Sequence, residues 1–346
     1  MEDFNRIVPL GNLAPAAHTL PTVHHYIDIR KTDPNDPTSL PVEVPVVSPA
    51  DITITEMTFI EELNRPDFTD YSLIFEPCLG FKSYLDHFLT VAPVVQKAYD
   101  AAPVRFCRDY TLYYEERTLD WRLCKKEVNI EIKAGEPLGT AGGGEGQNAL
   151  DFAAFDFRQG PSVFANPDRW VYQRDMTYAV CPLDYFPAEL KDQLKSRLGP
   201  RHNGPLRTAE PICGEVAQDI PGTAQGIWIE PGLGIEWDES QIVALVHDNF
   251  EPSLAVFSIG LSMEDEGLAH GAYYFDPVPS GLVNRDFGDI VPGDTYCFEG
   301  LSGRGDLSGL IILIALTDPA TMMIEGQPRS SCGTAWDFVS PTQFER

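Results

Sequence analysis

"HHYIDI", residues 24–29, is the stretch on which the reading of this chain turns. Pro21 lies just before it and the loop "KTDPNDPTSLP" (31–41) just after, so it reads as a strand. Side chains of a strand alternate faces: His24, Tyr26 and Asp28 point one way, His25, Ile27 and Ile29 the other. A His and an Asp four apart on one face can share a metal ion; the competing reading is a half-buried strand whose histidines are hydrogen-bonded structure.

Short strand signals continue outward. In "VEVPVVSPADITITEMTFI" (42–60), Ile52 and Ile54 alternate with Thr53 and Thr55 as in a half-buried strand, and "DYSLIFEP" (70–77) reads as another. "FKSYLDHFLTVAPVVQKAYDAA" (81–102) predicts a strand running into a short helix, and "EVNIEIKAGEPLGTAGGGEG" (127–146) a strand, a turn and a hairpin tip. That glycine run has no Lys-Ser/Thr end and no βαβ context, so it is not a nucleotide loop. "ALDFAAFDFR" (149–158) is a further strand, in which Asp151 and Asp156 are candidates for ligation or for a turn cap.

A helix is predicted after Pro187, with Leu190, Leu194 and Leu198 at helical spacing and Gly199-Pro200 as its stop. From about 206 onward short strands recur, as in a sandwich or small barrel, with Trp228 and Tyr296 as core aromatics. With 28 Gly and 29 Pro in 346 residues, the expected class is mainly β. Its expected domains are a β domain at 1–160, a connector with one helix at 161–205 and a β-barrel or sandwich at 206–346.

The net charge of -27 repels nucleic acid and anionic membranes, which disfavours a nucleic-acid role and attracts cations to the surface; no nucleic-acid partner is expected. The most apolar run, "GLIILIALT" (309–317), is too short to cross a bilayer, so no membrane insertion is expected. "MEDFNRIVPLGN" has no basic region followed by an apolar one, so no signal peptide is visible in this chain. Seven cysteines (78, 107, 124, 181, 213, 297, 332) contain no CxxC pair and fit either buried thiols or up to three long-range disulfides with one left over.

Taken in order, these segments resemble the lysostaphin-like zinc endopeptidases of the duplicated hybrid motif superfamily, which cut peptide cross-links of bacterial cell walls. "HHYID" resembles their His-x-x-x-Asp motif, "PVVSPADITITEM" the strand that follows, "YLDHF" their Tyr-x-His-Leu, and "IKAGEPLGTAGG" their glycine hairpin; the likeness spans about residues 8–158. It implies a peptidase-type β-sheet domain, an extracellular or periplasmic location and disulfides for the cysteines. The family's closing His-x-His is replaced by Ala149-Leu150-Asp151, and Tyr26 stands where Gly is usual.

By this resemblance His24, Asp28 and Asp151 are the metal ligands and His87 is the catalytic acid/base or oxyanion stabiliser. Zinc with an open position would lower the pKa of bound water to about 7 and ready it for amide attack. One His with two carboxylates would suit calcium or manganese equally. A divergent branch of the superfamily carries a Gly-His-Thr-x-Pro-Thr-Asp-His-type stretch similar to "AHTLPTVH", which implies a ligand set of His18, His24 and Asp151 beside Thr22.

Two functions follow from the resemblance. One is a peptidase-like scaffold that has lost catalysis and serves as an extracellular or envelope binding or structural protein. The other is an active metal-dependent endopeptidase on cell-wall peptide or glycopeptide. The expected partner is a peptide or glycan of the cell envelope, or another copy of the chain. In the second half His202, His247 and His270 are isolated, "SGRGD" (302–306) is too short to carry an argument, and no nucleophile triad is evident.

Overall fold

The structure is a computed structural model. It describes residues 3–36, 38–114, 117–170, 173–201, 204–235, 239–304 and 307–346. His202 and the Gly305-Asp306 end of the Arg-Gly-Asp tripeptide lie outside the described residues. The protein is mainly β, and all strand pairings in its two sheets are antiparallel.

The chain divides into two compact units, residues 1–9, 23–160 and 178–213 in one, and 10–22, 161–177 and 214–346 in the other. The expected connector is therefore shared between them, and so is the N-terminal segment: His18 belongs to the second unit and His24 to the first.

The first unit contains β1 (Phe4–Val8), β2 (His24–Ile29), β3 (Val44–Val47), β4 (Ile52–Glu62), β5 (Arg65–Cys78), β6 (Phe81–Val91) and helix α1 (Pro93–Ala101). It continues with β7 (Val104–Tyr114), β8 (Arg117–Ile132), β9 (Pro137–Ala141), β10 (Ala149–Asp156), β11 (Ala179–Val180) and helix α2 (Ala188–Lys195). The sheet runs β1-β2-β10-β6-β5-β4-β8-β7, with β11 on β10 and with β9 joining β3 to β6. Ile52 and Ile54 of β4, Leu73 and Phe75 of β5 and Leu85 and Phe88 of β6 are buried together in its core. Burying such side chains stabilises the fold by about 1.5–3 kcal/mol each.

Pro93, at the first turn of α1, needs no intrahelical donor, and Val95 carries the helix onto this core. Helix α2 differs from its sequence pattern. It stops at Lys195, Leu190 is exposed, and Leu198 is buried beyond the helix end through a parallel bridge to Ile7. The leucine spacing was only partly a helix face, because the last leucine serves a strand contact instead.

The second unit contains β12 (Gly226–Ile229), β13 (Ile242–His247), β14 (Ala255–Ile259), β15 (Gly271–Phe275), β16 (Thr295–Phe298), β17 (Ser302–Gly303), β18 (Ile311–Asp318), β19 (Thr321–Gln327) and β20 (Thr342–Glu345). Its sheet order is β16-β18-β19-β20-β12-β13-β14-β15-β17. Phe257 of β14 and Phe298 of β16 are six places apart in that order, yet their rings meet edge to face at 4.8 Å. The sheet must therefore curl until its distant strands share one core, which Trp228 and Tyr296 also enter.

Among the described residues the disulfides are Cys107–Cys124, Cys181–Cys213 and Cys297–Cys332, and Cys78 is an exposed free thiol. No helix among these residues is long and apolar enough to cross a membrane.

Gly142, just after β9, tests the close packing of the first unit. Its φ of +77° is costly for other residues, and an added Cβ would lie 2.2 Å from the Val42 carbonyl oxygen. Gly142→Ala is expected to lower stability by about 1–3 kcal/mol, read as a lower urea midpoint at unchanged slope.

Candidate functional site

The site is built by the register of three strands. Asp151 of β10 pairs with Tyr26 of β2 on one side and with Asp86 of β6 on the other. Directly opposed residues share a face, so His24, Tyr26 and Asp28 lie on the same face as Asp151, Tyr84 and Asp86. Simple alternation would send His87 to the opposite, core-facing side with Leu85.

Instead the β5–β6 register jumps from Ser72↔Asp86 to Tyr71↔Phe88, leaving His87 as the extra residue of a bulge. Its φ is +74°, in the left-handed region. This re-aims the imidazole toward the polar face and returns Phe88 to the core.

Five side chains then form a relay. Nδ1 of His24 lies 2.8 Å from the Tyr84 hydroxyl, and its Nε2 lies 3.2 Å from Oδ2 of Asp151. The same Oδ2 lies 3.3 Å from Nε2 of His87, whose Nδ1 meets Oδ2 of Asp70 at 2.7 Å. Ser72 donates a short hydrogen bond to Asp86. The Tyr26 ring packs edge-on against His24 at 4.6 Å, and the Arg201 guanidinium covers Tyr26 at 4.7 Å.

Protonation states follow from these contacts. Burial pulls His87 toward neutrality, but the carboxylates of Asp70 and Asp151 outweigh it and hold the ring well above its ordinary pKa. Both its nitrogens therefore carry protons that face carboxylates. Burial opposes ionisation of Asp151, yet His24 and His87 bring its pKa below the usual value. Asp86 goes the other way: burial pushes it up to about 7 against the hydrogen bond from Ser72.

His24 is lowered by burial, against the pull of Asp151, and so is neutral near pH 7. Burial holds the Tyr84 phenol well above its ordinary pKa, so it stays protonated and its hydroxyl pairs with Nδ1 of His24.

The expected site residues are thus partly assembled. His24, His87 and Asp151 meet; Asp28 is buried on the same face of β2, opposite Ala149. Asp70, Ser72, Tyr84 and Asp86 complete the cluster, and nothing in the sequence selects them beyond the placement of Tyr84 three residues before His87. Asp156 is a turn anchor, accepting from Arg158, Gln159 and Tyr185.

Zinc does not fit the set His24, Asp28 and Asp151. Among the described residues, the group that brings three His, Cys, Asp or Glu donor atoms within 4.8 Å of one another is His25, Cys181 and Cys213 instead. Oδ2 of Asp151 is already shared by the His24 and His87 imidazoles. No hydrolytic step through a metal is derived from it.

No protein-family model matches the chain, and no curated protein or solved structure matches it either. Function is therefore argued from the site alone.

The His87 relay has a pH signature. Its folded-state pKa lies above the unfolded value of about 6.5, so its stabilisation is full below that pH and is lost as pH rises through the folded pKa. Asp70→Asn is expected to cost about 1–3 kcal/mol at pH 6, with a difference from wild type that shrinks toward alkaline pH. Urea midpoints of both proteins across pH 6–10 check this; a difference that does not change with pH contradicts it.

Proposed function

We propose that the protein is a peptidase-like β scaffold without peptidase catalysis, acting as a binding or structural protein outside the cell or in its envelope. One observation carries this reading: the Asp151 carboxylate is held between His24 on one side and the protonated His87 on the other. Both nitrogens of the protonated His87 ring face carboxylates, so it has no lone pair to take a proton from water. Ala149, where the resemblance puts a catalytic imidazole, supplies no functional group.

Three disulfides suit an oxidising compartment. The proposed partner is a peptide or glycan of the envelope. Phe68, Tyr110 and Trp121 form a half-exposed aromatic cluster on β5, β7 and β8, with Arg65 over Phe68 and Arg108 over Tyr110. Aromatic faces beside guanidinium groups suit a ligand with both apolar and anionic parts.

Metal content is measured by mass spectrometry on protein purified without chelator or affinity metal, together with the His24→Ala variant. The expected result is less than stoichiometric zinc in both and no cleavage of cell-wall peptides. In the same preparation, wild type should co-sediment with insoluble cell-wall material and Trp121→Ala should do so at least several-fold less. Stoichiometric zinc that is lost in His24→Ala would overturn the non-catalytic reading in favour of a metallopeptidase.

A further inference from the structure

We propose that His25, Cys181 and Cys213 form a redox-gated zinc site, closed while the two cysteines are joined and open to the ion once they are reduced. The site lies on the other face of β2 from His24, because adjacent strand residues point to opposite sides. His25 is fully buried, and its Nδ1 lies 2.8 Å from the Val8 carbonyl oxygen. Only an N–H can face a carbonyl at that distance, so the Nδ1 proton is fixed and the lone pair sits on Nε2. This is the orientation that a backbone carbonyl imposes on metal-ligating histidines.

That lone pair is aimed at sulfur. Nε2 lies 3.9 Å from Sγ of Cys181, and Cys181 is bonded to Cys213. A tetrahedral zinc ion, with bonds of about 2.0 Å to nitrogen and about 2.3 Å to sulfur, holds nitrogen and sulfur ligands roughly 3.5 Å apart and two sulfurs roughly 3.8 Å apart. The nitrogen–sulfur spacing is already close to this. The Cα atoms of the two cysteines are 6.1 Å apart, so their side chains can reach the sulfur–sulfur spacing by rotation once the bond between them is broken.

The surroundings hold the ligands in place. His25 is paired across the sheet with Phe152, and Cys213 packs with Ile7, Leu183 and Leu198. One imidazole and two thiolates form a soft donor set that selects zinc over calcium or magnesium, leaving a fourth position for water.

The chemistry balances without further components. A dithiol reductant delivers two electrons to the Cys181–Cys213 bond and closes to its own disulfide, leaving two protein thiols. Zinc binding then displaces one proton from each thiol and none from His25. In the reverse exchange a small-molecule disulfide takes the two electrons and two protons and leaves as a dithiol; the Cys181–Cys213 bond re-forms and the ion is released, so metal and disulfide exclude each other.

Cobalt(II) is the probe, since thiolate ligation gives it intense near-ultraviolet charge-transfer absorption. The full chain is reduced anaerobically with a tertiary phosphine, which becomes the phosphine oxide with water supplying oxygen and protons, and is then titrated with cobalt. The expected result is one equivalent bound with charge-transfer absorption, displaced by zinc, absent from unreduced protein, and lost in Cys213→Ser and in His25→Gln. The double variant Cys297→Ser/Cys332→Ser should keep it.

Absence of that absorption in reduced protein whose circular dichroism remains native overturns the proposal. So does its persistence in Cys213→Ser or His25→Gln, which would assign the thiolates elsewhere. If reduction unfolds the chain, excess zinc should restore the native spectrum to wild type and not to Cys213→Ser, because an ion bound to the folded state stabilises it by mass action; failure of zinc to do so overturns the proposal as well.

Discussion

The register of β10 between β2 and β6 is the constraint on which the first unit depends. Asp151 sits opposite both Tyr26 and Asp86, and a slip of one residue on either side would turn its carboxylate into the apolar core with Phe152. The apolar partners Leu85 and Phe152 fix this register from the other face, where they are buried together. Hydrophobic burial thus decides the alignment, and the alignment decides which charges must coexist.

Those charges coexist because of the bulge at His87. Without it, buried Asp70 and Asp151 would lose the one imidazolium that contacts both, and removing two carboxylates from water costs several kcal/mol each. The extra residue inserts an imidazolium that touches both. The backbone strain of a non-glycine residue at positive φ, of order 1–3 kcal/mol, is smaller than the cost of leaving two buried carboxylates unpaired. That comparison accounts for the bulge as an electrostatic device, stabilising the sheet through the His87 ring.

Much of this was legible in the sequence and some of it was not. The alternation of Ile52 and Ile54, the strand entering a helix at Pro93 and the burial of Trp228 follow from local periodicity and turn chemistry. The bulge does not, because "YLDHF" reads as unbroken alternation and only the pairing with β5 reveals the extra residue. Nor do the partners of Cys181 and Cys297, whose separations of 32 and 35 residues carry no local signal. The two histidines of "HHYIDI" looked equivalent, yet one faces a carboxylate and the other a disulfide, a difference set by strands 125 or more residues away in the chain.

Set against the lysostaphin-like pattern, the two departures on this face belong together. The pattern has a small residue where Tyr26 stands and a large one where Ala149 stands. Tyr26 pairs with Asp151, and Ala149 is two residues before Asp151 on the same strand, so the two positions are diagonal neighbours on one face. Compared with that pattern, Tyr26 adds volume beside the space that Ala149 leaves, and volume-conserving exchanges of this kind cost little. Tyr26 and Ala149 are both buried, so a histidine placed at 149 alone would meet a surface already filled. An imidazole at 149 would therefore have to be accommodated by a change at Tyr26 as well, because the two positions share one packed face.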